Sequence, residues 1–128
     1  GGQPSVDLSD RIMFDSAEVE LNQRGREVLQ RVGETLRKAS GKIIQVGGHT
    51  DSVPISDKLK DRFPSNWELS AARAAEVVRF LMEEVGISGE RLMAAGYAQY
   101  RPVASNKSRR GRRLNRRIEL VLLPRTSE

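Results

Sequence analysis

The sequence predicts an α+β fold, a single layer of sheet with helices packed on it, in the order β-α-β-α-β-(short helix)-β. Three observations carry this. The apolar run Ile43, Ile44, Val46 has strand length and is broken by Gly47 and Gly48. A second apolar run, Ile118-Glu119-Leu120-Val121-Leu122-Leu123, is closed by Pro124. Two longer segments, 22–39 and 66–85, repeat apolar residues at the helical period with charges on the other side. At 128 residues the chain is one domain, long enough to bury a core.

Taken in order, residues 1–5 read as a flexible lead, 6–124 as the domain and 125–128 as a tail. Val6, Leu8, Ile12 and Phe14 alternate imperfectly around Ser9-Asp10-Arg11 and predict a half-buried first strand. Residues 15–18 are a turn, and Leu21 an anchor into the core. Asn22 is a good N-cap for a helix running to about Ala39, with Val28, Leu29, Val32 and Leu36 as its apolar stripe and Gly41 as its C-cap. Gly25 and Gly33 weaken that helix by about 1 kcal/mol each relative to alanine. A strand over Lys42–Gly48 follows, and strand, helix, strand in this order predicts a βαβ unit with the helix as its crossover.

Residues 52–64, with Pro54 and Pro64, are a loop longer than most connections, and loops of that length often carry function. Ser65 and Glu68 have the spacing of a capping box, so a second helix starts near Asn66 or Trp67 and runs to Val85, where Gly86 stops it. Its stripe is Ala71, Ala74, Val78, Leu81 and Val85, with Val77 close by and Trp67 packing at its start. Leu92 to about Tyr97 is a short strand and Tyr100–Asn106 a loop. Lys107–Arg117 is the most basic segment and is partly helical.

The composition, 38% hydrophobic and 30% charged, is that of a folded soluble domain. No apolar run approaches the roughly 20 residues of a membrane span, and Gly1-Gly2-Gln3-Pro4 is no signal peptide. The chain opens on Gly rather than Met, so a longer parent protein carrying its own anchor or targeting segment is expected. With no cysteine and one histidine, the chain has no disulfide, no thiol nucleophile and no ordinary zinc site. Nucleotide-loop and nucleophile-elbow motifs are missing too, so no cofactor, metal or catalytic residue is assigned. The net charge of +5 points to an acidic partner. Nucleic acid is a poor candidate, because the basic run is short and has no interleaved aromatics for base stacking.

The stretch that carries chemistry is Gly48–Arg73. His49-Thr50-Asp51-Ser52 falls where the second strand leaves the sheet, and Arg73 sits about two turns into the second helix. A carboxylate at a strand end can thus face a guanidinium near a helix start. Such a pair suits a zwitterion, with Asp51 taking an ammonium and Arg73 a carboxylate. The plainer alternative is that Asp51 and Arg73 pair only with each other.

Gly48-His49-Thr50-Asp51, then Asn66-Trp67-Glu68-Leu69-Ser70-Ala71-Ala72-Arg73-Ala74, Gly96-Tyr97 through Ser105-Asn106, and Asn115-Arg116-Arg117-Ile118-Glu119 together resemble the OmpA-like peptidoglycan-binding domain. The opening Leu8-Ser9-Asp10 to Asp15-Ser16, Val53-Pro54-Ile55 and Phe63–Leu69 look like its MotB-like branch, and the likeness covers about Val6 to Leu123. The resemblance implies a mixed four-stranded sheet with helices on one face. It also implies a non-enzymatic periplasmic anchor that binds the diaminopimelate of the peptidoglycan stem peptide.

Carried over by position, Asp51 would hold the ammonium, Arg73 the carboxylate, and Arg116 would help with the carboxylate. Asn66 would touch the ligand, and Thr50 would support the loop or touch it. The parent would be membrane-anchored, with a flagellar stator, a lipoprotein, an outer-membrane protein and a secretion component all open, and a homodimer is an open expectation. His49 departs from the aromatic of many members, and Arg110-Gly111-Arg112-Arg113 is more basic than the family's acidic-Gly-Arg pattern. The rival use of the same fold is a protein- or polyanion-binding module built on 107–117.

Overall fold

A computed structural model describes residues 3–125; the first two residues of the predicted lead and the last three of the tail lie outside the described residues. Four strands form one mixed sheet: β1 (Ser5–Ser9), β2 (Lys42–His49), β3 (Leu92–Gly96) and β4 (Arg117–Pro124), in the order β1-β4-β2-β3. β4 runs antiparallel to both β1 and β2, while β2 and β3 are parallel. Helices α1 (Asp10–Met13), α2 (Gln23–Lys38), α3 (Asp57–Lys60), α4 (Asn66–Phe80) and α5 (Arg109–Asn115) complete it. No helix among the described residues is long and apolar enough to cross a membrane.

The alternation in the two apolar strands decides the layers. Ile44, Val46, Ile118 and Leu120 point to one face and pack with Leu29 and Leu36 of α2 and Ala74, Val77 and Phe80 of α4. The parallel neighbours β2 and β3 are joined through α4, an ordinary βαβ unit. The predicted unit around α2 is split instead: β1 and β2 are parallel, but β4 lies between them and pairs with both.

The first strand is shorter than the alternation predicted. It begins at Ser5, inside the expected lead, and gives way at Asp10 to the single turn α1. Ser9-Asp10-Arg11 is a run of three polar residues, and Asp10 falls where the alternation of a half-buried strand needs an apolar one. The turn drives Met13 and Phe14 into the core, at 0% and 4% exposure.

Helix α2 starts as expected, with Asn22 Oδ1 accepting the Gly25 N–H at 2.7 Å. Gly41 is not its C-cap: Ala39 caps the helix with an N–H to the Leu36 carbonyl. Gly25 weakens a helix in isolation, but here a Cβ would come within 2.7 Å of the Met13 carbonyl, so the glycine lets α1 dock.

Ser65 caps α4 by accepting the Trp67 N–H at 3.2 Å, and its hydroxyl donates to the Glu68 carboxylate, so the two residues of the predicted capping box meet through their side chains. The helix widens into a π-turn over Leu81–Val85, which Gly86 ends at φ 86°. The buried stripe is Leu69, Ser70, Ala74, Val77, Phe80, Leu81 and Val85; Ala71 is exposed, contrary to expectation. Trp67 is also exposed, at 49%, and stacks on Tyr100 at 5.3 Å rather than on the core. The long loop 52–64 is not structureless: α3 lies within it, and Ile55, Leu59 and Leu69 form a second small core with Ala17, Val19 and Phe63.

On the other face of the sheet, His49 is buried, stacks on Tyr97 at 4.9 Å, and has Nε2 3.1 Å from Glu119. Its Nδ1 is buried without a partner. Burial first, then the Arg117 charge, holds the imidazole below its ordinary value, against the pull of the Glu119 hydrogen bond. A depressed folded value means the unfolded chain takes up the proton first. Stability is therefore full above about pH 6.5 and is lost as pH falls from there through the folded value. The parent is expected to lose more thermal stability than a His49→Gln variant between about pH 7.5 and 5.5. Parallel melting-temperature profiles for the two would show that His49 does not titrate in this way.

Candidate functional site

A cavity of about 850 Å³ opens where the C-terminal end of β2, the start of α4, α1 and α5 meet. All five residues singled out from the sequence line it: Thr50, Asp51, Asn66, Arg73 and Arg116. They arrive from three separate elements, held there by backbone. Gly48 presses β2 onto the Ser70 carbonyl of α4. Ser70 Oγ accepts the Ala98 N–H at 3.1 Å and donates to the Trp67 carbonyl, so the strand ends and the helix start form one block.

Asp51 and Arg73 do not pair with each other. Asp51 Oδ2 meets Arg116 Nη1 at 2.6 Å, and its Oδ1 accepts the Val53 N–H at 3.0 Å. Arg73 Nη1 meets Asp10 Oδ2 at 3.2 Å, while its Nε and Nη2 both donate to the Glu18 carbonyl. The Arg73 guanidinium also lies over the Phe14 ring at 4.7 Å. Asp10 joins the two halves, since Arg116 Nε stands 3.7 Å from its Oδ1. Along the cavity the charges thus alternate as Asp51, Arg116, Asp10, Arg73.

Asp10 is the member that sequence reasoning missed. It appeared there as the polar break in the first strand's alternation and within the MotB-like opening, with no role at the site. Its Oδ1 is buried with no hydrogen-bond partner, a costly state that a ligand donor would relieve. Burial pushes its carboxyl above the ordinary value, although Arg73 and Arg116 both pull it down. Burial likewise lowers Arg73, which remains cationic because a guanidinium starts so high. Three of the five Arg73 N–H donors are engaged, leaving two for a ligand.

Asn66 donates to the Val53 carbonyl at 3.0 Å, and Thr50 Oγ1 donates to the Asp51 carbonyl at 2.8 Å. Both therefore shape the loop that presents Asp51. Asn115 does the same for α5: its Oδ1 accepts the N–H groups of Val103 and Ala104, and its Nδ2 donates to Ala104 O and Asn106 Oδ1. Asn115 is fully buried, and it is a second residue that sequence reasoning left without a role.

The OmpA family model matches residues 13–116. The chain belongs to the OmpA family. Within it the pattern is MotB-like: the Motility protein B of Bacillus subtilis is 35% identical over 94% of this chain and 45% of its own. A MotB-like protein of Desulfovibrio vulgaris superposes with a TM-score of 0.87 at 32% identity, covering 94% of this chain and 75% of that one. The cell wall anchor of the T6SS from Pseudomonas aeruginosa gives 0.83 at 37% identity, covering 94% and 81%. The OmpA-family fold accounts for the mixed sheet and helical face described above. The chain spans less than half the length of the curated relatives it matches.

Proposed function

We propose that the cavity binds the diaminopimelate of a peptidoglycan stem peptide, and that this OmpA-family domain thereby anchors a longer envelope protein to the cell wall in the periplasm. It is a binding module rather than a catalyst. The observation that carries the reading is the alternation of two carboxylates and two guanidiniums along one cavity. Diaminopimelate ends its side chain in an ammonium and a carboxylate on a single carbon, so both signs must be met within a few ångströms. Asp51 and the unpartnered Oδ1 of Asp10 supply acceptors for the ammonium. The two remaining donors of Arg73, with Arg116, supply the carboxylate's partners. Asn66 and Thr50 hold the loop around the ligand.

In the free protein each charge already has an internal counter-charge. Binding then exchanges one ion pair for another rather than burying a bare charge, which keeps the desolvation cost low. The relatives support the same reading, since one of them is a cell wall anchor by name. The MotB-like pattern makes a flagellar stator the first parent protein to test.

Calorimetric titration with a diaminopimelate stem peptide, beside one carrying lysine at that position, tests the assignment. The expected result is heat only with the diaminopimelate form. Equal binding to both would mean that the carboxylate end of the side chain is not recognised and that Arg73 has another role.

A further inference from the structure

Six arginines and three aspartates line the cavity, a surplus of three positive charges. Asp10 and Asp51 are taken up by Arg73 and Arg116, so the surplus belongs to the rim: Arg11, Arg109, Arg112 and Arg113. Among the described residues no carboxylate pairs with any of these four; Arg112 alone has a protein partner, the Asn106 carbonyl at 2.9 Å. The arrangement is unfavourable for the fold. Arg109 and Arg110 stand in the first turn of α5, where the helix dipole disfavours cations. Arg109, Arg112 and Arg113 are also spaced three and four apart, on neighbouring positions of one helix face. Yet α5 is held firmly, by the Asn115 bonds and by Gly111, whose missing Cβ makes room for the Ser105 carbonyl.

A side-chain zwitterion is neutral and leaves that surplus unanswered. We infer that the Arg109–Arg112–Arg113 rim binds further carboxylates of the same ligand, so that the site selects a stem peptide with free acids over an amidated one. This rests on the stem-peptide reading above. A stem peptide offers two such groups outside the diaminopimelate side chain: the α-carboxylate of its γ-linked glutamate and its C-terminal carboxylate. The rim is solvent-facing, so each contact is worth a few-fold in affinity, salt-dependent, rather than orders of magnitude.

The test titrates parent and an R109Q/R113Q double variant with two probes. One is the alanyl-γ-glutamyl-diaminopimelyl-alanine tetrapeptide as free acid; the other is its diamide at the glutamate α-carboxyl and the C-terminus. The parent is expected to bind the free acid about tenfold more tightly at low ionic strength, and less so in added salt. The double variant is expected to bind both probes as the parent binds the diamide. Equal binding of the two probes by the parent would overturn the rim's role while leaving the diaminopimelate reading standing. Undiminished discrimination by the variant would also overturn it. Failure of the parent to bind either probe would overturn both readings. Rim-dependent sedimentation with phosphatidylglycerol vesicles, without discrimination between the peptides, would assign the arginines to a membrane surface instead.

Discussion

Asp51→Asn is expected to abolish pelleting of the domain with cell-wall sacculi while leaving it folded. The substitution keeps the shape of the side chain and an oxygen to accept the Val53 N–H, which holds the loop. It removes the negative charge that would meet the ligand ammonium and that now meets Arg116 at 2.6 Å. Arg116 is not stranded by this, because it is about a third exposed and still has Asp10 3.7 Å away. Losing one partner of a desolvated charge pair costs about 2–5 kcal/mol, a loss of roughly thirtyfold or more in affinity. Sedimentation with sacculi and a melting curve on the same preparation check both halves. A variant that pelleted like the parent would remove Asp51 from the site.

Arg73→Ala is a poorer probe than the sequence suggested. The family resemblance makes it a ligand contact, and spacing alone leaves a pair with Asp51 as the alternative. In the structure, Arg73 ties α4 to the Glu18 carbonyl, lies on Phe14 and neutralises a mostly buried Asp10. Breaking a buried pair from one side costs about 3–5 kcal/mol, so this variant is expected to lose stability along with binding.

The second large effect is expected at Gly48. A Cβ there would overlap the Ser70 carbonyl oxygen and lie 2.9 Å from its carbonyl carbon. Both atoms are helix backbone, which cannot swing aside as a side chain does. Gly48→Ala must therefore push α4 off β2, at a cost of about 3 kcal/mol, the upper part of the usual range for overpacking. For a domain of this size that lowers the melting temperature by roughly 10 °C. The displacement also separates Asp51, on the strand end, from Asn66 and Arg73 on the helix, so stem-peptide affinity should fall at temperatures where the variant is still folded. A Gly48→Ala protein with the parent's melting temperature and affinity would show that this close approach does not hold the site together.

Much of the fold was legible because it depends on local chemistry. The strands over Ile43–Val46 and Ile118–Leu123 follow from apolar runs ended by glycine and proline. The cap residues Asn22 and Ser65 follow from side chains that reach their own backbone a few residues on. The α+β class follows from the order of those elements. Two of the candidate site residues, Asp51 and Arg73, were read from spacing and three, Thr50, Asn66 and Arg116, from the family resemblance; all five line one cavity.

What stayed hidden was decided by partners distant in the chain. Trp67 joins the helical period yet faces outward, because its ring finds Tyr100 and not the core. Gly25 looks like a defect in α2 until Met13 is seen to need the space. β4 enters between β1 and β2, an insertion that no helix-and-strand order announces. Who pairs with whom in the site belongs to the same class. Asp10, Asp51, Arg73 and Arg116 lie 22 to 106 positions apart in the sequence, yet in space they share a single run of charge. The sequence by itself determined which groups are present and the local structure that carries them. The tertiary structure alone decided which charges neutralise one another and which stay without a counter-charge, because Coulomb attraction and desolvation depend on distance and burial, and neither is a property of the chain order.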